Sequence, residues 1–504
     1  MESRPDDLKK GMENTPPTSF HQGRPWLWFL IFALFLTSHH SIFTGEFVGE
    51  DEVMQWQTSR NLFDVMLTGS LSDRIRGVGN LLAMEWHPPL RYLLSIPGSV
   101  LFPWQEVGVR LGAVLCSLVM TLLLMKQAAK EGGVAARNIT GLLVAASGVY
   151  NWTSMAFAWS LLVAAVCVCA LIMDESSKLE LPKEKSFSWR VQCAFGALFV
   201  AYLINSGAIL FSGGLGLALV SANRKRLPSL ALNLVPIAAV YVLYWYLFLV
   251  FPEMSGQLLQ TRARAGMSGL SVSPFLENLM GWNAYGLPFL FNAIWMMGLY
   301  RALKRKQPLV WIVSPFVLAW SFYLSGQSHQ YFLLGTLPLI PFGVAQVLAA
   351  LKRKQFPTLA FAVPFVMLTL IWNLYLFQWP YPARKGDLGT ARPPLRFFLG
   401  YAGRYHNARH DWRGIAQTLK QELQPGETYA LDFGGAFQDF YMRGNSAFVP
   451  MQTQADFLLT FAEPEAVEYV FHKSFPRNAL KMYKRSTASE KHNPLSLDAP
   501  ESVR

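Results

Sequence analysis

The sequence contains little charge. Only 15% of its 504 residues are Asp, Glu, Lys or Arg, whereas 52% are hydrophobic. That is more apolar surface than a soluble fold of this length needs, and the mean hydropathy is positive at +0.24. The composition therefore argues against a soluble enzyme and predicts a protein whose main solvent is a lipid bilayer.

Cysteine is scarce as well. The four cysteines fall in or beside apolar segments and do not have the spacing of metal ligands. We expect them to be small core or lipid-facing residues, which argues against a cysteine-based metal centre. They are Cys116, Cys167, Cys169 and Cys193.

Three further features are missing. The polar and basic residues 1–24 lead into an apolar run without a small-residue cleavage site, which predicts an uncleaved anchor. No internal repeat of the solenoid or inverted-transporter type is visible. The net charge of +12 comes from short Lys and Arg clusters between apolar segments, not from a continuous stripe. This pattern is typical of cytoplasmic loops and argues against nucleic acid as a partner.

Apolar segments recur from residue 26 to residue 379, and the first, Trp26–Thr44, can cross ~30 Å of hydrocarbon as a helix. The basic clusters orient the chain with its N-terminus in the cytoplasm. We predict a mainly α, polytopic membrane protein with about 11–13 transmembrane helices. One ambiguity concerns residues 88–137. Either 88–103 does not fully span the bilayer, or the basic loop at 126–137 breaks the charge rule.

The predicted organisation has three parts. Residues 1–25 form a cytoplasmic tail, 26–379 the transmembrane catalytic domain, and 380–504 an external domain. The membrane domain has two external loops. The first, at 45–87, is taken as the catalytic loop and is expected to contain short amphipathic helices on the membrane surface. The second, at 252–283, has the composition of a mobile lid and equally that of a plain connector.

The tail changes character after the last apolar segment. Asp411 can cap a helix that Pro425-Gly426 ends, and residues 428–433 and 468–472 have the pattern of short strands. We predict a small external α/β domain. It is too short and too poor in convergent motifs to be the catalytic unit.

Ionisable residues are nearly absent from the middle of the later apolar segments. Ion-coupled carriers place such groups at mid-membrane, so this distribution favours chemistry at the membrane surface over transport. The ionisable residues instead collect where the segments are predicted to reach the outer face. They are Glu50, Asp51, Glu52, Glu85, His87, Arg91, Arg110, Arg262, Arg264 and His329.

Group transfer from a lipid-borne substrate needs a carboxylate that orients or deprotonates an attacking hydroxyl, and a cation that stabilises a phosphate leaving group. Asp51 and Glu52 are the candidates for the carboxylate, with Glu50 and Glu85 in support. The candidates for binding the donor phosphate and the substrate are His87, Arg91, Arg110, Arg262, Arg264, His329 and Tyr331.

Each of these residues also has a simpler structural interpretation. Glu50-Asp51-Glu52 can be a hydrated loop end, and His87-Pro88-Pro89 a rigid helix start. Arg110 can be an interfacial anchor. His329 and Tyr331 can belong to an ordinary interface belt. Local sequence alone does not choose between the two sets of interpretations.

The order of the motifs resembles a known superfamily. Asp51-Glu52 follows the first span, His87-Pro88-Pro89-Leu90 opens one apolar helix, and Val109-Arg110-Leu111 opens the next. The later motifs that fit are Gln330-Tyr331-Phe332-Leu333-Leu334, Pro338, Pro341 and Asp411-Trp412-Arg413. The set is similar to the bacterial GT-C glycosyltransferases of the protein O-mannosyltransferase and aminoarabinose-transferase superfamily.

The resemblance implies a GT-C helical bundle that transfers one sugar, with inversion, from a polyprenyl-phosphate carrier to an acceptor hydroxyl. The acceptor could be a lipid, a polysaccharide or a protein. The resemblance assigns the base or acceptor-orienting role to Asp51, with Glu52 beside it, and places His87 near the lipid phosphate. The aminoarabinose transferases carry an Arg shortly after the acidic residue. This chain has Met54-Gln55 there, which argues against aminoarabinose as the sugar.

The resemblance also implies the setting of the reaction. The protein would be an integral protein of the bacterial inner membrane, in contact with membrane lipids, with its C-terminal domain in the periplasm. No cofactor would be required, because many relatives work without a bound metal. A divalent metal ion is compatible with the pattern but is not indicated by it.

Two other function classes stay open at this level. A polytopic transporter or lipid flippase would use the rim charges as headgroup contacts. A non-catalytic partner in envelope-polysaccharide assembly would explain the external α/β tail. Replacing Asp51 discriminates between a transferase and an assembly partner. A transferase would lose sugar transfer, whereas an assembly partner would tolerate the change.

Overall fold

The structure is a computed structural model of the 504-residue chain. It describes residues 25–38, 50–82, 89–147, 159–174, 179–181, 186–249, 288–319, 335–377, 412–431, 437, 440–443, 447–449, 455–460, 464, 469–475 and 480–486. The chain forms two compact units. The first contains Met1–Thr44, Gln55–Trp379 and Ala391–Ala402, and the second contains Gly45–Met54, Pro380–Thr390 and Gly403–Arg504.

The first unit, called the membrane unit below, is built from helices, most of them apolar. One of these helices, α2, begins with residues assigned to the second unit. In chain order the helices are α1 (Pro25–Ser38), α2 (Glu50–Thr68), α3 (Leu71–Leu82), α4 (Leu90–Leu101), α5 (Glu106–Ala146), α6 (Trp159–Ile172), α7 (Trp189–Tyr202), α8 (Ile209–Ala222), α9 (Leu227–Leu249), α10 (Pro288–Lys304), α11 (Pro308–Leu318), α12 (Ile340–Arg353) and α13 (Thr358–Phe377).

Two stretches within the described helices are by themselves long and apolar enough to cross a bilayer, namely Glu106–Ala146 and Leu227–Tyr244. Six shorter apolar helices of 10–17 residues accompany them. The polar residues Asn205-Ser206 predict a break in the apolar segment 191–222. The structure contains this break, because α7 ends at Tyr202 and a 3-10 turn precedes α8. The Asn205 side chain accepts a hydrogen bond from the Gly207 amide at 2.8 Å, which stabilises this turn.

Helix α5 reverses direction within its length. Gly132 and Gly133 leave the helical conformation, and Gly133 has a φ of +73°, a value that favours glycine. A Cβ at Gly141 would lie 2.8 Å from the sulfur of Met125. In a straight helix these two residues would be about 24 Å apart, so the two halves of α5 must pack side by side.

The lengths of the helices decide between the two alternatives for residues 88–137. Helix α4 has 12 residues and is therefore about 18 Å long, too short for ~30 Å of hydrocarbon. Residues 106–131 extend for about 39 Å and can cross it. The structure therefore agrees with the first alternative, in which the segment 88–103 does not fully span.

Close approach of backbones joins the helices of the membrane unit. A Cβ at Gly98 of α4 would overlap the carbonyl oxygen of Gly108 in α5, and one at Gly343 of α12 would overlap that of Ile294 in α10. Small residues at such contacts let helices pack where the surroundings offer little hydrophobic driving force. The seam at Gly98 holds α4 against the start of α5, which positions the candidate site.

Helices α2 and α3 confirm that the loop after the first span is structured. One face of α3 exposes Leu71, Ile75 and Val78, as expected for an amphipathic helix. Its start is capped by Ser70 and Asp73, because the Ser70 hydroxyl and amide both hydrogen-bond to the Asp73 carboxylate, at 2.6 and 3.1 Å. These two bonds lower the pKa of Asp73. The placement of α3 on the membrane surface stays a prediction.

The second unit contains a helix and a small mixed sheet. Helix α14 (Trp412–Glu422) buries Ile415 and Leu419. The strands are β1 (Tyr429–Leu431), β2 (Phe457–Thr460), β3 (Tyr469–Phe475) and β4 (Leu480–Arg485), in the order β1-β2-β4-β3. Only β1 and β2 are parallel.

The predicted α/β tail is thus confirmed, with two additions. The predicted helix and two strands are present as α14, β1 and β3, whereas β2 and β4 lay outside the prediction. The Asp456 carboxylate accepts hydrogen bonds from the amide and hydroxyl of Thr428, at 2.7 and 2.9 Å, and so ties the starts of β1 and β2 together. The predicted cap at Asp411 lies outside the described residues.

Candidate functional site

The acidic run forms the first turn of a helix, not the end of a loop. Helix α2 begins at Glu50, and Glu52 is only 1% exposed. The positive end of the helix dipole favours carboxylates at this position. Burial of Glu52 argues against the interpretation of a hydrated loop end. The side chains of Glu50 and Asp51 lie outside the described part of the structure.

One turn later, Gln55 begins a buried polar network. Its Oε1 accepts a hydrogen bond from Nε of Arg91 at 3.3 Å, and its Nε2 donates to Oγ of Ser95. The Ser95 hydroxyl lies 3.1 Å from the carbonyl oxygens of both Arg91 and Val109. The network therefore connects α2, α4 and the beginning of α5.

Two more hydrogen bonds hold the same helices together. Ser59 donates to the carbonyl of Tyr92 at 3.0 Å, and the indole of Trp56 donates to the carbonyl of Pro103 at 2.8 Å. The ring of Trp56 also packs against that of Trp104, with centroids 5.3 Å apart. Helix α2 is thus attached to α4 and to the turn after it through three residues within little more than one of its own turns.

The two arginines predicted for the site are both buried. Arg91 is 2% exposed and its guanidinium lies 5.6 Å from the centre of the Tyr92 ring. Arg110 is fully buried in α5, four residues after the buried Glu106, and so on the same face of the helix. An interfacial anchor would extend its charged end into water, which Arg110 does not do. Burying guanidinium groups is costly, and such residues in membrane segments are commonly functional.

The other predicted site residues lie outside the described residues. They are Glu85, His87, Arg262, Arg264, His329 and Tyr331. His87 precedes α4 by two residues, Pro88 and Pro89, and Asp51 precedes Gln55 by one turn of α2. Within the described ranges, no group of three or more His, Cys, Asp or Glu side chains could hold a metal ion. The roles predicted for these residues stay predictions.

Sequence reasoning missed Gln55, Ser59 and Ser95. A signal for them exists, because polar residues recur at four-residue intervals in these helices. Such spacing places them on one helix face, which in an apolar segment must be the packed face. The intervals run through Asp51, Gln55 and Ser59 in α2, through Arg91, Ser95 and Ser99 in α4, and through Glu106 and Arg110 in α5.

A second charged cluster, centred on the buried Glu131, lies at the reversal of α5. The carboxylate of Glu131 pairs with Arg301 at 3.3 Å and with Arg305 at 2.7 Å. Arg301 also donates to the backbone carbonyl of Glu131 at 2.6 Å, which satisfies a carbonyl at the end of the helical turn before Gly132. This cluster contains no predicted site residue and joins α5 to α10.

Comparisons with known proteins depend on structure alone. No protein-family model matches the sequence, and no curated protein matches it either. Two solved structures of ArnT from Cupriavidus metallidurans are similar in fold. The apo form has a TM-score of 0.53 and 18% identity, over 83% of this chain and 84% of that one. The form bound to undecaprenyl phosphate has a TM-score of 0.58 and 16% identity, over 92% of this chain and 98% of that one.

The chain has the GT-C fold. This confirms the predicted architecture, a polytopic helical membrane protein with a small α/β domain. Identities of 16–18% show the fold and not the activity. Within the membrane unit, the described part of the candidate site includes the buried Gln55 and Arg91, with Arg110 in the adjoining helix.

Proposed function

We propose that this protein is a membrane glycosyltransferase. It would move a sugar from a polyprenyl-phosphate donor to an acceptor hydroxyl at the outer face of the membrane, with inversion. The observation that carries the proposal is the match to ArnT bound to undecaprenyl phosphate, which extends over 92% of this chain and 98% of that one. A likeness over whole chains supports a shared type of reaction better than a likeness of one domain does.

The residues present suit such a transfer. In an inverting step, the acceptor hydroxyl oxygen attacks the anomeric carbon while the bond from that carbon to the phosphate oxygen breaks. The hydroxyl proton passes to a carboxylate, for which we propose Asp51 in the first turn of α2, with Glu52 beside it. The leaving group is the polyprenyl phosphate, which takes the electron pair of the broken bond.

The leaving phosphate gains negative charge as the bond breaks. Positive charge that is already in place stabilises this transition state without reorganisation of the site. We assign this role to Arg91, with Arg110 as a second source of charge in the adjoining helix. Their burial supports the assignment, because charges interact more strongly inside a protein than in water. His87 would lie at the same end of α4, near the lipid phosphate.

The proposal includes the location. An outward-facing transferase cannot use cytoplasmic nucleotide sugars, so its donor must arrive through the membrane. We therefore propose the bacterial inner membrane, with the N-terminus in the cytoplasm and the α/β unit in the periplasm. A site at headgroup depth would meet the phosphate of a lipid-linked donor directly.

The test is sugar transfer by the purified protein in nanodiscs, with a panel of labelled polyprenyl-phosphate sugars. We expect Asp51→Asn to lower the rate at least ~100-fold, the scale of a lost general base. Asp64→Asn is the matched control, because it makes the same change in α2 at a residue whose carboxylate is 57% exposed and ion-paired with Arg60.

Three results would contradict the proposal. Equal turnover by the Asp51→Asn and Asp64→Asn variants would remove Asp51 from the mechanism. A folded protein that turns over none of the donors would favour an assembly partner. Movement of the lipid across the bilayer without sugar transfer would favour a flippase.

A further inference from the structure

A six-residue sequence occurs twice in the membrane unit. Ala-Leu-Lys-Arg-Lys-Gln covers residues 302–307 and recurs without change at residues 350–355. The first copy overlaps the end of α10 and the second the end of α12, and a proline follows each within two residues. Neither copy contains a residue of the candidate site, so the repeat calls for an explanation of its own.

Both copies end their helix with the same turn. In each, two backbone amides after the helix donate hydrogen bonds back to carbonyls of the last helical turn, at 2.9–3.1 Å. Lys306 in the first turn and Gln355 in the second have positive φ angles, of 53° and 51°. Glycine is the usual residue at this position, because a Cβ makes the left-handed conformation unfavourable. The two turns keep long polar side chains despite this cost, which favours a role for those side chains.

The two turns emerge at the same end of a helix pair. A Cβ at Gly298 of α10 would lie 3.0 Å from the backbone nitrogen of Gly343 in α12. Three residues further along each helix, the Arg301 guanidinium donates to the side-chain oxygen of Gln346 at 3.3 Å. Since the contacts advance in the same direction along both helices, α10 and α12 run parallel. Their C-terminal ends therefore bring the two copies of the repeat to one side of the membrane unit.

The two copies carry six basic side chains, and five of these have no ion-pair partner among the described residues. Arg305 is the exception, because it pairs with the buried Glu131 at 2.7 Å. Like charges that are held close together repel each other, so an anion would stabilise a surface of this kind. The five other side chains are exposed, and they belong to Lys304, Lys306, Lys352, Arg353 and Lys354.

Apolar side chains lie beside these charges in the chain. Leu303 in the first copy, Phe356 directly after the second and Trp311 in the first turn of α11 are all exposed. Lysine next to exposed aromatic and aliphatic side chains is typical of the level at which a helix leaves the bilayer, where the charged end of lysine reaches the headgroups. A soluble polyanion would leave these apolar groups in water. The surroundings therefore favour a membrane lipid over a soluble ligand.

We propose that the two repeats together bind the phosphate groups of anionic membrane phospholipids. Lysine and arginine side chains at the headgroup level attract such lipids, and salt weakens the attraction. The bound lipid would connect the ends of α10 and α12, close to Arg301 and Arg305, which pair with Glu131 at the reversal of α5. The inference does not depend on the proposed transfer reaction, because it uses none of the residues assigned to that reaction.

The experiment measures the melting temperature of the full-length protein in micelles of a neutral detergent during titration with dioleoyl phosphatidylglycerol. Dioleoyl phosphatidylcholine and inorganic phosphate are titrated in parallel, to separate an anionic lipid from a neutral lipid and from a free anion. We expect only phosphatidylglycerol to raise the melting temperature of the wild type. The rise should become smaller as salt is added.

Three double variants identify the charges that bind the lipid. Lys304→Gln/Lys306→Gln removes two charges from the first copy, and Lys352→Gln/Lys354→Gln removes two from the second. The matched control is Arg224→Gln/Lys225→Gln, which removes two exposed charges from the turn between α8 and α9. We expect each repeat variant to melt like the wild type without lipid and to need at least about tenfold more phosphatidylglycerol for half of the effect. The control should respond like the wild type.

Equal losses in the control and in both repeat variants would overturn the inference, because any basic turn would then suffice. A loss in only one repeat variant would overturn it as well, since the site requires both copies. Equal stabilisation by phosphatidylcholine would show that the charge of the lipid is not recognised, and equal stabilisation by inorganic phosphate would show a site for free anions. Either result would refute a site for anionic phospholipids.

Discussion

Two of the arginine clusters in the described part of the membrane unit differ in the group that the arginine contacts. At the reversal of α5, Arg301 and Arg305 both pair with the carboxylate of Glu131. Near the start of α4, the guanidinium of Arg91 meets the amide of Gln55 and the ring of Tyr92. The first cluster is an ion-pair network. In the second, an amide and an aromatic ring contact the arginine.

The two partners act differently on an arginine. A carboxylate compensates its positive charge, whereas an amide only orients its guanidinium group. A buried ion pair compensates its own charges, and its loss is costly because the remaining charge stays buried. The Glu131 cluster therefore stabilises the chain reversal, whereas the role proposed for Arg91 is to stabilise the leaving phosphate.

The largest expected effect on stability tests the Glu131 cluster. Glu131→Gln keeps the shape of the side chain but removes the charge that compensates Arg301 and Arg305. We expect it to cost about 3 kcal/mol, near the lower end for a broken buried pair because Arg305 is partly exposed. Denaturation in detergent micelles measures the loss. Sugar transfer per folded molecule should stay near wild type, and a large loss of transfer at wild-type stability would contradict the division of roles.

The opposite result is expected at Arg91. Arg91→Gln should lower sugar transfer about 100-fold, which is the scale of a lost electrostatic contact in a transition state. The melting temperature should change little, because a glutamine can still hydrogen-bond to Gln55. Steady-state kinetics and thermal denaturation of the same samples check both parts. Loss of stability with normal kinetics would show that Arg91 has a structural role, like the Glu131 cluster.

The smallest effect comes from a matched pair of glycines. An added Cβ at Gly98 must push α4 away from Gly108 in α5, and one at Gly343 must push α12 away from Ile294 in α10. Gly98→Ala and Gly343→Ala should each cost about 1–2 kcal/mol by overpacking. Only Gly98→Ala should also lower transfer per folded molecule, because it shifts the helix that carries Arg91. Equal kinetics in the two variants would show that the site tolerates this shift.

Several elements were predictable because they depend on local pattern. The break at Asn205-Ser206, helix α14 and the strands β1 and β3 follow from polar interruptions, a capping pattern and short apolar runs. Strands β2 and β4 were missed because short strands gain most of their stability from pairing with distant segments. The reversal of α5 falls within the basic loop predicted at 126–137, but the sequence did not show that the turn is made by the consecutive glycines at 132 and 133.

The candidate site likewise contains residues that the sequence predicted and residues that it did not. Asp51, Arg91 and Arg110 were proposed as site residues from the sequence because charged residues beside apolar segments are rare and conspicuous. Gln55 was not, since its four-residue spacing from Asp51 and Ser59 indicates a packed helix face but not the residue that this face contacts. Its meaning depends on Arg91, which lies 36 positions away in the chain.

Hydropathy and charge are properties of short segments. They are therefore enough to predict, without a structure, a helical membrane protein with a candidate carboxylate at Asp51. The hydrogen bond from Arg91 to Gln55 and the ion pair of Arg301 with Glu131 depend on the tertiary structure. These contacts form between helices whose backbones approach each other closely, as they do at Gly98 and Gly108. Such packing depends on the shape of two surfaces at once, which no local pattern records.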